Sequence, residues 1–110
     1  MEIESFSWGA TNSGTTGGGG GGGAGKVQLQ DFHFVVKTGK ASPQLFLACA
    51  TGTHLRRAVL TVTRPNTRGE DFYVIEMEDL LVSSFQSGGS SGGDVPMDQI
   101  SLNFTKIEFP

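Results

Sequence analysis

Two local patterns contain side chains that could carry a reaction. Cys49 and His54 are close enough along the chain to suggest a thiol nucleophile and its base. Cys49, however, lies in an apolar run that indicates a helix interior, and no third residue that would orient the base is apparent. Glu76 and Glu78 share one predicted strand face, as glycosidase carboxylates can, but an outer polar face is the commoner cause of that spacing. The sequence therefore predicts no catalytic residues.

Binding motifs for phosphate and for metal are incomplete. The tract from Gly20 to Lys26 matches the first part of a phosphate-binding loop, whose amides and lysine hold an anion. Val27 stands where a magnesium-binding Ser or Thr is needed, and the following residues alternate as a strand instead of opening a helix. With two histidines and one cysteine, a zinc site would need carboxylates at spacings that the sequence does not contain. We expect no cofactor and no metal.

The elements that would position these residues are mostly strands. One helix is predicted, with Ser42 as N-cap, Pro43 at the first helical position and Gly52 as terminator. It is apolar nearly all round and too short to stand alone, so it must cover the β-structure. Alternating apolar and polar residues predict five strands, namely Ile3–Trp8, Lys26–Lys37, His54–Arg64, Asp71–Phe85 and Ile100–Phe109.

The predicted fold is a single domain over residues 1–110, a small mostly-β barrel or sandwich with one short flanking α-helix. Glycine-rich loops are predicted over residues 9–25 and 86–94, and a hairpin turn is predicted over Pro65–Gly69. With 17 glycines among 110 residues, little of the chain can build a core. Partner subunits are the expected source of additional burial.

Charge is divided between the two halves of the chain. Seven of the eight basic residues precede Gly69, and eight of the eleven acidic residues follow it. Such division suits a head-to-tail contact between different faces of neighbouring subunits. The candidate interface residues are Arg56, Arg57, Glu76, Glu78 and Asp79. The alternative, that both sets lie on ordinary solvated strand faces, stays open.

The net charge of −3 disfavours a general affinity for phosphate backbones. Small barrels with aromatic strands do bind single-stranded nucleic acid by stacking, and the segment from Asp31 to Val36 keeps that function as an alternative. The chain contains no apolar run long enough for a signal peptide or a membrane span. We expect synthesis in the cytosol, no membrane insertion, and a reduced Cys49.

A series of short motifs resembles one family along nearly the whole chain, from Glu2 to Phe109. The motifs are Phe6-Ser-Trp8-Gly9, the polyglycine tract ending Gly-Ala24-Gly-Lys26-Val27, Gln30-Asp31-Phe32, Ala41-Ser-Pro43, Leu47-Ala-Cys49, Leu60-Thr-Val62, Glu78-Asp-Leu-Leu-Val82-Ser-Ser84, Gly88-Gly-Ser and Leu102-Asn-Phe104. Together they resemble the haemolysin-coregulated protein (Hcp) family of the bacterial type VI secretion system.

This resemblance implies a non-enzymatic tube protein that forms hexameric rings, and rings that stack into the inner tube of the secretion system. It implies release through that apparatus without a signal peptide, contacts with sheath and spike proteins, and small effectors carried in the ring lumen. Ser7 and Ser90 are the candidate lumen residues. Family members begin with a further strand and continue with more β-structure, so the resemblance also predicts a barrel truncated at both ends.

Overall fold

The computed structural model describes residues 1–12, 27–63 and 71–109, with the side chains of Asp71 and Phe72 left aside. These residues form seven strands and one helix. In chain order they are β1 (Ser5–Ser7), β2 (Ala10–Asn12), β3 (Val27–Leu29), β4 (Phe32–Lys37), α1 (Ser42–Thr51), β5 (His54–Thr63), β6 (Asp71–Gly88) and β7 (Met97–Glu108).

Five strands form one antiparallel sheet in the order β1-β4-β7-β6-β5, whereas β2 and β3 pair separately as a short ribbon. The long strands β6 and β7 form the centre of the sheet, since β6 pairs with both β5 and β7. β4 then joins β7 to β1. The sheet curls around its apolar face into a half-barrel, which confirms the predicted mostly-β, barrel-like fold with one helix.

The core lies on the concave face of β4, β6 and β7. Alternate side chains of these strands point inward, as the period of two along a strand requires. Ile75 and Ile100 are completely buried. The buried apolar residues are Phe32, Phe34, Val36, Ile75, Met77, Leu80, Val82, Ile100 and Leu102.

Two irregularities let β6 follow the curve of the sheet. Asp79 has a φ of 48°, in the left-handed region, and the inward positions change there from Ile75 and Met77 to Leu80 and Val82. The register against β5 and β7 is unchanged at Asp79, whereas a shift of register against β7 lies between Val82 and Ser84. The left-handed residue and the bulge each move the following residues of β6 to the other face of the sheet. They explain why the apolar alternation breaks at Leu80-Leu-Val82 in the sequence.

The helix α1 covers one end of the concave face, as its apolar composition predicts. Leu45, Ala48 and Cys49 pack against the core, and Phe46 contacts Phe85 with ring centroids 5.7 Å apart. Gly52 ends the helix with a φ of 65°, a left-handed conformation that glycine adopts without steric cost.

The predicted N-cap was wrong by one residue. Ala41 occupies the cap position without a side-chain hydrogen bond, and Ser42 is the first residue of the helix. The Ser42 hydroxyl donates to Asp98 of β7 and accepts from the backbone N–H of Gly39. The Ser42 hydroxyl therefore bonds to Asp98 of another strand and does not cap the helix as the local pattern predicted.

An aromatic cluster near the start of β6 joins strands that are not neighbours in the sheet. Phe6 of β1 stacks on Phe32 at 5.9 Å and contacts Tyr73 of β6 at 5.8 Å. Trp8 donates an indole hydrogen bond of 3.0 Å to the Tyr73 hydroxyl, while Phe109 packs on both rings. The pairing of an indole N–H with a phenol satisfies both polar groups within an apolar contact.

The predicted loops and strand ends differ from the structure in several places. β2 lies inside the predicted loop 9–25, β6 extends to Gly88 inside the predicted loop 86–94, and β7 begins at Met97. The predicted single strand 26–37 is divided into β3 and β4, which belong to different sheets. Most of the first glycine tract and the predicted hairpin turn at Pro65–Gly69 lie outside the described residues.

Candidate assembly surface

The candidate charged residues come together on the convex face of β5, β6 and β7. The strand register places Arg57, Glu78 and Lys106 directly opposite one another in a row across the three strands. The Arg57 guanidinium lies 2.5 Å from a Glu76 carboxylate oxygen. Lys106 lies 3.1 Å from Glu108 and 4.0 Å from Glu78. The hydrogen bond from Lys106 to Glu108 raises the pKa of the lysine.

His54 and Asp79 form a second pair at the bend of β6. The His54 Nδ1 atom lies 3.1 Å from an Asp79 carboxylate oxygen, and this hydrogen bond lowers the pKa of Asp79. Thr105 donates to the backbone carbonyl of Asp79 at 2.5 Å, which supports the left-handed residue from β7. The same residue therefore bends the strand and presents a charged side chain at its surface.

The two arginines predicted to lie at the interface, Arg56 and Arg57, differ in whether they already form an ion pair. Arg57 already has an acidic partner within the same chain, so a contact with another subunit must compete with Glu76 or share it. Arg56 is exposed, and no ion pair joins it to another residue in the described part of the chain. Arg56 is consequently the one of the two whose charge is not paired within the described residues.

The candidate lumen residue Ser7 lies on a neutral part of the convex face. The register aligns Ser7 of β1 with His33 of β4, Ser101 of β7 and Ser84 of β6. His33 Nδ1 lies 3.1 Å from the Ser101 hydroxyl oxygen. This neutral row contains three serine side chains, whereas the row through Arg57 contains charged side chains.

Ser90, the second candidate lumen residue, is exposed in the segment between β6 and β7. The register places this segment at the Lys37 end of β4, whereas Ser7 pairs with His33 near the other end. The two serines therefore lie at opposite ends of the sheet. Nothing in the fold of one subunit brings them together.

The residues weighed for catalysis have other surroundings in the structure. Cys49 is half-buried against the core, and His54 pairs with Asp79 instead of with the thiol. Glu76 pairs with Arg57, and Glu78 lies beside Lys106. The phosphate-loop tract Gly20–Lys26 lies outside the described residues. Over residues 1–12, 27–63 and 71–109, no three metal-ligating side chains form a group.

The strand weighed for nucleic-acid stacking points its rings into the core. Phe32 and Phe34 are 2% and 6% exposed, so neither presents a face to a base. The outward residues of β4 are His33, Val35 and Lys37. The alternating aromatic residues that suggested nucleic-acid binding are therefore explained by their place in the core. Within the described parts of the chain, no helix has the length and hydropathy to span a membrane.

The structure also contains a polar cluster that the sequence did not indicate. Asp98 of β7 is completely buried, accepts from Thr38 at 2.7 Å and from Ser42, and is also hydrogen-bonded by Ser87. Burial raises the pKa of this carboxyl, but the three hydroxyl hydrogen bonds outweigh it and hold the pKa below its ordinary value. Only the aspartate in an otherwise apolar alternation (Asp98, Ile100, Leu102) could have signalled a buried carboxylate.

Comparison with known proteins shows the family to which the chain belongs. The family model described as "Type VI secretion system effector, Hcp" matches residues 1–110. The chain therefore belongs to the Hcp family of the type VI secretion system.

Sequence and structural relatives agree with this assignment. Protein hcp1 of Pseudomonas aeruginosa is 37% identical over 84 residues, which are 76% of this chain and 52% of that protein. The chain thus spans about half the length of the curated relative it matches. A solved type six secretion system protein has a TM-score of 0.91 at 25% identity, covering 99% of this chain and 68% of that one. Hcp1 from Salmonella typhimurium has a TM-score of 0.79 at 26% identity, covering 96% and 67%.

Proposed function

We propose that this chain is a structural subunit of the type VI secretion inner tube, which assembles into hexameric rings that stack and are secreted. The family match over residues 1–110 carries the proposal. The curled sheet supports it, because its convex face offers a charged row and a neutral row without a reactive centre among the described residues. In this role the subunit acts by shape and contact, not by catalysis.

Electron microscopy of negatively stained protein tests the proposal directly. We expect rings of uniform diameter, and stacks of rings at high protein concentration. Uniform monomers under every salt condition would contradict it. Binding of single-stranded nucleic acid that weakens steeply with salt would instead support the alternative function.

We propose further that Arg56 contacts the acidic residues Glu76, Glu78 and Asp79 of the next subunit, with Arg57 sharing Glu76. Because both sets of residues lie on the convex face, this contact joins the convex faces of neighbouring subunits and not the two different faces that the sequence predicted. Arg56→Glu should reduce the ring population at low salt, where screening is least. Lys40→Glu is the matched control, because Lys40 is exposed and lies outside the charged row. Equal ring populations in both variants would rule out this contact.

Cargo is proposed to bind along the neutral row that begins at Ser7, with Ser90 contributing from the rim. Hydroxyl groups without bulk or fixed charge can accommodate different partners. Ser7→Gln and Ser90→Gln would narrow the lumen once in every subunit, so retention of an effector should fall while rings still form. Thr63→Gln, exposed at the end of β5, is the control. Full retention by both serine variants would exclude them from the cargo surface.

A further inference from the structure

Three neighbouring strands interrupt their inward and outward alternation at the same place. β5, β6 and β7 each present two consecutive exposed residues between two residues that contact the core. The exposed pairs are Arg56–Arg57, Glu78–Asp79 and Thr105–Lys106. Because an extended strand points successive side chains to opposite faces, each pair marks a break in the pleat of its strand. We call the line of these three pairs the crease.

The strand register places the three breaks side by side. On each side of the crease, one core-contacting residue of β5 lies opposite one of β6 and one of β7. These flanking rows are Leu55–Leu80–Phe104 and Ala58–Met77–Ile107. Since both rows point toward the core and remain in register, the three breaks form one continuous feature of the sheet.

The backbone of Asp79 produces the break in the central strand. Among the described residues other than glycine, only Asp79 has a positive φ, of 48°. Aspartate and asparagine tolerate the left-handed conformation, glycine adopts it freely, and β-branched residues resist it. With an extended backbone at this position, Asp79 would point into the core and Leu80 would point away from it. The conformation of one residue therefore decides which side chains of β6 are buried.

Thr105 of β7 holds the backbone of β6 at the crease. Its hydroxyl donates to the Asp79 carbonyl oxygen at 2.5 Å and lies 3.2 Å from the carbonyl oxygen of Glu78. Backbone carbonyls need such partners where the regular pleat is broken. His54 contacts the Asp79 carboxylate at 3.1 Å, so it acts on the side chain and not on the backbone. The hydroxyl of Thr105 and the residue type at position 79 therefore support the crease.

We propose that Asp79 and Thr105 are positioning residues for assembly, because they hold the crease that turns both members of each exposed pair outward. With regular alternation, one of each pair of charged neighbours would point into the core. The crease therefore gives the charged row its arrangement, and its loss would misalign the charges proposed to join subunits. This role rests on the proposed tube function, whereas the crease itself can be measured in separated subunits.

Removal of the Thr105 hydroxyl tests the crease without changing a charge. In dilute, separated Thr105→Val subunits, amides of residues 76–82 should exchange about tenfold faster than in the parent, as the loss of one hydrogen bond implies. The protein concentration needed for ring formation should rise by about tenfold. Thr61→Val, the same change at an exposed β5 residue outside the crease, should alter neither quantity. Hydrogen exchange with mass spectrometry and sedimentation velocity measure them.

The outcomes separate the crease from its role in assembly. Equal exchange in the Thr105→Val and Thr61→Val subunits would overturn the proposal. Faster exchange with unchanged ring formation would overturn the assembly role. A parent protein that forms no rings would contradict the tube function and the assembly role together, while the exchange rates would still decide whether Thr105 holds the crease.

Substitutions at position 79 separate backbone conformation from charge. Asp79→Gly, Asp79→Asn and Asp79→Val all remove the carboxylate, but only valine strongly disfavours the left-handed conformation. Asp79→Val should therefore weaken ring formation about tenfold more than the other two variants, in the same sedimentation series. Asp79→Ala provides the comparison if the valine variant does not fold, since alanine also disfavours a positive φ. Equal losses in all these variants would assign the role of Asp79 to its charge and overturn the proposal.

Discussion

Two polar regions of the sheet use carboxylates in opposite ways. Asp98 is completely buried and is held by hydroxyl groups of Thr38, Ser42 and Ser87. On the convex face, by contrast, Arg57 of the charged row pairs with Glu76 in solvent. The arginine side chain is 58% exposed. A buried carboxylate must have its hydrogen bonds to be tolerated, whereas a solvated ion pair gains little from them.

The buried Asp98 cluster and the exposed charged row differ in what they contribute to the protein. The Asp98 cluster joins β7, the start of α1 and the end of β6, so it holds the covering helix in place. The charged row lies on the convex face, where its side chains are largely exposed to solvent. We therefore expect substitutions at Asp98 to lower stability and substitutions in the charged row to change assembly.

The largest effect is expected from Asp98→Ala. The variant leaves the buried Ser42 hydroxyl without its acceptor and removes the hydrogen bonds from Thr38 and Ser87, and we expect a loss of about 3 kcal/mol in the free energy of unfolding. Chemical denaturation followed by circular dichroism measures it. Asp94→Ala removes the same side chain from an exposed position and should change stability by less than about 0.5 kcal/mol. Equal effects of the two variants would contradict a structural role for the Asp98 cluster.

The second effect concerns pH. Because the pKa of Asp98 is lower in the folded than in the unfolded chain, the unfolded chain binds its proton more readily. The stabilisation is therefore present above the unfolded pKa of about 3.9 and is lost as the pH falls through the folded value. Below about pH 4 the parent should lose stability more steeply than Asp98→Asn, in melting curves at a series of pH values. Parallel pH profiles would show that this carboxyl does not contribute to acid unfolding.

A smaller loss is expected for Ser42→Ala. One hydrogen bond to Asp98 disappears while Thr38 and Ser87 remain, so we expect a loss of about 1 kcal/mol, partly offset by the higher helix propensity of alanine. Ser91→Ala in the exposed connection to β7 is the control. If Ser42→Ala matched its control in thermal denaturation, the helix would be held by apolar contacts alone.

The smallest effect on stability is expected in the charged row. A double-mutant cycle of Arg57→Ala and Glu76→Ala should give a coupling of less than about 0.5 kcal/mol in separated subunits. A coupling above about 1.5 kcal/mol would abolish the contrast with Asp98. The same variants compared by electron microscopy show whether the pair matters for assembly instead.

The sequence alone determined much about this protein, because local patterns carry that information. Alternation predicted β5 and most of β6, and the Pro43 and Gly52 signals located α1. The division of β3 from β4 and the two irregularities of β6 appeared in the sequence only as changes of phase. Those phase changes could not show which strands would separate, since pairing depends on residues far along the chain.

Only the tertiary structure decided the partners of the polar side chains. Ser42 has the local context of a helix cap, but its hydroxyl bonds to Asp98 because the curl of the sheet places that carboxylate within reach. Arg57 and Glu76 belong to segments of opposite charge, but the register of β5 on β6 pairs them within one chain. Composition and spacing determine which groups a chain contains. The meeting of strands distant in sequence determines which of those groups are satisfied internally and which remain available to other subunits.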